Sequence, residues 1–169
     1  MLASKDYQQR VEITDSATLL ASGLIKLITG PRRAGKSVLA LQILQGKNYA
    51  YLNFDDNSLL SHFDEDSIMK ALSEVYPGYE YLLLDEIQNL EGWDTWVTTL
   101  YRRGVNLIIT GSNANLLSSE MATLLTGRYV ESFILPFSME ETLQFSKVNT
   151  HPILPEGQAS LSLAMEDIS

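Results

Sequence analysis

The chain has 169 residues, with 12 Lys and Arg against 21 Asp and Glu, a formal net charge of −9, no cysteine and 45% hydrophobic residues. That length fits one domain of ordinary size able to bury a core without staples, and the missing cysteines exclude disulfide frameworks, thiol chemistry and Cys-based zinc sites. The acidic balance repels phosphate backbones and anionic membranes, so no direct nucleic-acid binding is expected, and no apolar run approaches the ~18 residues of a spanning helix.

The first ten residues are polar and lack the apolar h-region of a signal peptide, so the protein reads as cytoplasmic, with residues 1–22 as an N-terminal segment. Short aliphatic and aromatic runs then alternate with longer stretches of helical spacing, the pattern of an α/β domain with a parallel sheet covered by helices. A first strand is predicted over Leu24–Thr29, a glycine turn over Gly30–Gly35, and a helix over Lys36–Leu44 with Gly46 as its stop. Tyr49–Phe54 reads as a second strand ending in Asp55 and Asp56. Ser58–Val75 has helical spacing with an acidic break at Asp64–Asp66, and Pro77-Gly78 turns the chain back.

Tyr81–Leu84 is a short strand, apolar on both faces and therefore interior. Trp93–Arg103 reads as a helix with Trp96, Val97, Leu100 and Tyr101 inward, and Val105–Thr110 as the next strand. A helix over residues 115–125 closed by Gly127, a fifth strand over Tyr129–Leu135, and a helical turn from Ser138 with Glu140 and Glu141 complete the core, set at residues 23–146. Residues 147–169 lose periodicity and read as a tail or the truncated start of a further region.

Gly30-Pro31-Arg32-Arg33-Ala34-Gly35-Lys36-Ser37 fits the phosphate-loop pattern, with the strand before it and the helix after it that the pattern requires. Such a loop curls so that N–H groups from Gly30 to Val38 face one concavity, where the helix N-terminus favours a nucleotide's phosphates. Lys36 would bridge the β- and γ-phosphates and the Ser37 hydroxyl would ligate Mg²⁺.

After the third strand come Asp85, placed to hold magnesium, and Glu86, placed to polarise a water for in-line attack. A strand inserted between the two motifs and this paired glutamate favour hydrolysis over phosphoryl transfer to a small acceptor. Ser112 is the first candidate for a γ-phosphate sensor and Asn113 the second, with a helix cap as the plainer role of either. Arg128 is either a partner of a helix dipole or an arginine finger acting on a neighbouring subunit. Gln88 could position water near Glu86 or simply occupy a turn, Trp93 and Trp96 read as packing anchors, and Asp55 and Asp56 lie at the ligand-facing edge. His62 and His151 are isolated, so no triad or metal cluster assembles around them.

Ile28–Ser37, Leu84–Asn89 with Trp93, Ile109–Ser112, Leu125–Tyr129 and Leu135–Ser138, in that order and spacing, resemble the prokaryotic AAA-type ATPases of the AAA_14 group, often joined to a DUF4143 domain. The resemblance covers about residues 23–145. It implies a three-layer P-loop NTPase core of ASCE type with strand order 5-1-4-3-2, ATP and Mg²⁺ as cofactors, and a C-terminal region that completes the nucleotide site; a homo-oligomer or a partner protein is the expected partner beside the nucleotide. By position it makes Lys36 and Ser37 phosphate and metal residues, Asp85 and Glu86 the metal and base pair, Ser112 the sensor and Arg128 the arginine preceding the last strand.

The chain departs from the pattern after Ser138, where no helical lid is recognisable. The expected function is ATP hydrolysis as a motor or switch for an attached or partner module. The alternative is a nucleotide-gated interaction module with little hydrolysis because the lid is missing from a fragment or truncated product.

Overall fold

The structure is a computed structural model that describes residues 16–112 and 125–136. In chain order it contains α1 (Ser16–Ala21), β1 (Ile25–Thr29), α2 (Lys36–Ile43), β2 (Tyr49–Asn53), α3 (Asn57–Ser61), α4 (Glu65–Val75), β3 (Tyr81–Asp85), a 3-10 turn (Ile87–Asn89), α5 (Trp93–Arg102), β4 (Leu107–Gly111) and β5 (Tyr129–Phe133). All of these lie in one compact unit, residues 9–134, and of the second unit, residues 1–8 and 135–169, only Leu135 and Pro136 are described.

The five strands form one sheet in the order β2-β3-β4-β1-β5, and every pairing is parallel. This is the expected α/β architecture of a P-loop NTPase, with the expected strand order. β3 is interior as predicted, because Leu82, Leu83 and Leu84 are fully buried and must be covered on both faces.

Side-chain alternation sorts the sheet into two cores. On one face Ile25, Leu27, Leu82, Leu84, Leu107 and Ile109 meet Trp93, Trp96, Val97 and Leu100 of α5 and Leu72 of α4. On the other, Ile28, Leu83 and Ile108 meet Leu39, Ala40 and Ile43 of α2. Each fully buried aliphatic side chain contributes roughly 1.5–3 kcal/mol. The tryptophans are packing anchors: the Trp96 ring lies 5.0 Å from that of Phe63 and 6.1 Å from that of Phe54, edge-on in both cases.

Several boundaries differ from the sequence reading. The acidic break at Asp64 separates two helices, since Asp56 caps α3 by accepting from the Ser58 N–H and Asp64 caps α4 by accepting from the Ser67 N–H. α1 and the 3-10 turn were not anticipated. The helix predicted over residues 115–125 falls outside the described residues except for its last position. Asn113, the turn from Ser138, and residues 147–169 also lie outside them.

Candidate functional site

Parity along the strands builds the site. Asp85 lies two residues beyond Leu83, so it shares Leu83's face and points toward α2. Thr110 bears the same relation to Ile108, and Tyr51 to Tyr49. Three hydroxyls consequently converge on one carboxylate. Ser37 Oγ, the second residue of α2, donates to Asp85 Oδ1 at 2.8 Å, Tyr51 Oη donates to Asp85 Oδ2 at 2.9 Å, and Thr110 Oγ1 makes a short hydrogen bond to Asp85 Oδ1. Asp85 is only 4% exposed, and its backbone carbonyl accepts from the Phe54 N–H, which ties the end of β2 to it. Burial, together with the charge of Asp85 and the hydrogen bond to it, pushes the Tyr51 phenol well above its ordinary value.

Glu86 leaves β3 in the left-handed conformation, at φ 53° and ψ 44°. That conformation costs a non-glycine residue about 1–2 kcal/mol, and its N–H is held by Thr110 Oγ1 at 3.1 Å. The turn carries the Glu86 side chain back over the loop, where Oε1 pairs with Lys36 Nζ at 3.1 Å. The other oxygen, Oε2, accepts from Gln88 Nε2 at 2.6 Å. Lys36 is 3% exposed and also donates to the Pro31 carbonyl at 3.1 Å.

The loop itself is shaped by close approach. The Ala34 N–H returns to the Pro31 carbonyl at 3.2 Å, Gly35 precedes α2 at φ 85°, and Arg33 adopts φ 62°. Gly30 has φ 153°, and a Cβ there would lie within the van der Waals shell of the Ile134 carbonyl. Pro31, Arg32 and Arg33 are exposed, Ala34 is buried, and Val38 is half-buried.

Among the predicted site residues, Lys36 meets Glu86 and Ser37 meets Asp85 at one end of the sheet. Ser112 is half-buried one residue beyond β4, whose Gly111 is level with Thr29 at the start of the loop. Arg128 is elsewhere. Its carbonyl accepts from the Ile25 N–H at 2.8 Å, which puts it at the beginning of β1 and β5, about 15 Å along the strands from the loop. Asp55 is engaged by Asn89 Nδ2 at 2.8 Å.

Sequence reasoning missed Thr110 and Tyr51. Both have a legible signal, a polar side chain at the ligand-facing end of a strand and an even number of residues from a core position on the α2 face.

The oxygen donors of Ser37 and Asp85 suit Mg²⁺, which prefers hard oxygen ligands and keeps the rest of its shell as water and phosphate. Among the described residues no group of three or more His, Cys, Asp or Glu forms a metal cage of its own, and no helix is long and apolar enough to cross a membrane.

A family model described as an AAA domain, AAA_14, matches residues 22–143. An uncharacterized protein of Haemophilus influenzae is 38% identical over 163 residues, covering 89% of this chain and 39% of its own length. An uncharacterized protein of Methanocaldococcus jannaschii is 37% identical over 129 residues, covering 74% of this chain and 29% of its own length. The chain thus spans two fifths or less of the length of these curated relatives.

Proposed function

We propose that this chain, which belongs to the AAA_14 family of AAA domains, binds ATP with Mg²⁺ and hydrolyses it to work a motor or switch in an attached or partner module. Family membership makes nucleotide binding the function class. Hydrolysis, the metal, and the output of the longer protein, including any adjoining DUF4143 domain, are our reading.

The observation that carries it is the meeting of Ser37 and Asp85, 48 positions apart, at 2.8 Å, beside a lysine and a glutamate paired at 3.1 Å. Backbone N–H groups at the start of α2 and the Lys36 ammonium bind the β- and γ-phosphates. Phosphate oxygens replace Glu86 on Lys36, and the released carboxylate takes a proton from water as that water's oxygen bonds to the γ-phosphorus and the β–γ bridge breaks. Ser37 and Asp85 would hold Mg²⁺, whose charge offsets that of the phosphates when it is bound.

Titration with labelled ATP tests the binding half: Lys36→Ala loses binding, and equal binding by variant and wild type overturns the assignment. Phosphate release tests the chemistry, with Glu86→Gln retaining ATP but losing turnover. One observation favours a second reading, a nucleotide-gated interaction module with little hydrolysis. Both oxygens of Glu86 are already engaged, one by Lys36 and the other by Gln88. That module would bind ATP tightly and release no phosphate at any protein concentration.

A further inference from the structure

Gln88 stands out because its environment does not suit a mere turn residue. It lies between Ile87, fully buried, and Leu90, 6% exposed, so the short turn that carries it is anchored in the core. Its neighbour Asn89 donates to the Phe54 carbonyl at 3.2 Å and to Asp55, fixing the turn from the other side. The amide is held in one orientation. Nε2 must face Glu86 Oε2, because turning the amide over would set two acceptors against each other. In that orientation Oε1 is buried and receives no hydrogen bond among the described residues. An apolar side chain of the same length would avoid that unmet acceptor, and among the described residues the bond to Glu86 is the side-chain contact that offsets it.

The two partners of Glu86 differ in what happens when a nucleotide arrives. On the ATPase reading phosphate draws Lys36 away from the carboxylate, whereas Gln88 belongs to the same turn as Glu86 and stays. Once Lys36 has gone, the 2.6 Å contact from Nε2 is what keeps the carboxylate from rotating about its own side-chain bonds.

We propose that Gln88 is the positioning residue of the hydrolytic step, fixing the Glu86 carboxylate toward the attacking water after phosphate has taken Lys36. This rests on the ATPase reading above. Gln88 does not touch the reacting atoms and contributes nothing to phosphate binding, so its loss lowers kcat and leaves KM alone.

The test is steady-state phosphate release by the full chain, with ADP affinity measured in parallel. It compares wild type, Glu86→Gln, Gln88→Met, which keeps length but removes the donor, and the double variant. Misplacing a catalytic base costs about tenfold to 100-fold, and that is the expected fall in kcat for Gln88→Met. Its KM and ADP affinity should stay within about twofold of wild type. The double variant should be no slower than Glu86→Gln alone, because a positioning residue has nothing left to position. Gln88→Asn, whose amide is one methylene too short, should show the same fall and gives the reading if the methionine variant fails to fold.

Wild-type turnover by Gln88→Met, a rise in KM matching the fall in kcat, or a further loss in the Glu86→Gln background overturns the inference while leaving the ATPase assignment intact. A wild type without turnover, or a Glu86→Gln variant as fast as wild type, removes the ATPase reading and this inference with it.

Discussion

The Thr110 hydroxyl sits between the two acidic residues of the site, bonding to Asp85 Oδ1 and accepting the Glu86 N–H. One atom thereby fixes a carboxylate rotamer and a left-handed backbone turn. Thr110→Val keeps the shape of the side chain but leaves a part-buried N–H without its acceptor, at a cost of about 1–3 kcal/mol. Its denaturation midpoint should fall accordingly, and phosphate release should fall with it while ADP binding, which the proposed function assigns to Lys36 and the loop, persists. Loss of ADP binding in a folded Thr110→Val would show that the hydroxyl serves the phosphate loop instead. Lys36, Ser37, Asp85 and Glu86 were all legible as residues, since the loop pattern and the apolar run into Asp-Glu name them. Thr110 was missed although its parity with Ile108 was readable, because parity names the face of the strand and not the carboxylate that the hydroxyl meets there.

At the scale of elements, α4 shows what local chemistry settles and what packing settles. Asp64 was seen as an acidic break within one helical stretch, whereas it begins a new helix by accepting from the Ser67 N–H at 2.9 Å. Ser67, first through its side chain and then through its N–H, holds the Asp64 carboxyl below its ordinary value of 3.8. A carboxyl whose folded value is depressed adds stability above its unfolded value and loses it as pH falls through the folded one. Asp64→Ala should therefore melt below wild type at neutral pH, and the gap between the two melting curves should close as the pH falls below 3.8. A gap that persists in acid would mean that Asp64 acts by shape and not by charge.

Strand order was reached through the family resemblance, and the structure agrees with it. Strand ends shifted by one or two residues because hydrogen-bond ladders, not the extent of an apolar run, decide where pairing stops. The turn at Glu86 had no sequence signal at all, because glutamate is an ordinary residue adopting a conformation usually left to glycine.

Across the whole molecule, the Lys36–Glu86 and Ser37–Asp85 pairs and Arg128 lie at opposite ends of the sheet. An arginine side chain cannot span about 15 Å of strand, so Arg128 does not reach Lys36 and Ser37 of its own chain. If it serves hydrolysis, it does so on another copy, and phosphate release per chain should rise with protein concentration. Arg128→Ala should abolish that rise and leave ATP binding unchanged. A rate per chain independent of concentration, the same in both proteins, would leave Arg128 with a role in joining β5 to the sheet. The sequence offered a helix-dipole partner or a finger for a neighbouring subunit, and the placement of β5 beside β1 is compatible with either, so the concentration dependence is what separates them.

The contact between Gly30 and Ile134 links the phosphate loop to the rest of the chain. The Ile134 N–H donates to the Thr29 carbonyl, and its own carbonyl fills the space where a Gly30 side chain would stand. The curvature of the loop and the path by which the backbone leaves β5 are therefore a single geometric constraint. Any side chain added at Gly30 has to push the Ile134 carbonyl aside, so a substitution in the loop is felt at once in the first residue beyond β5.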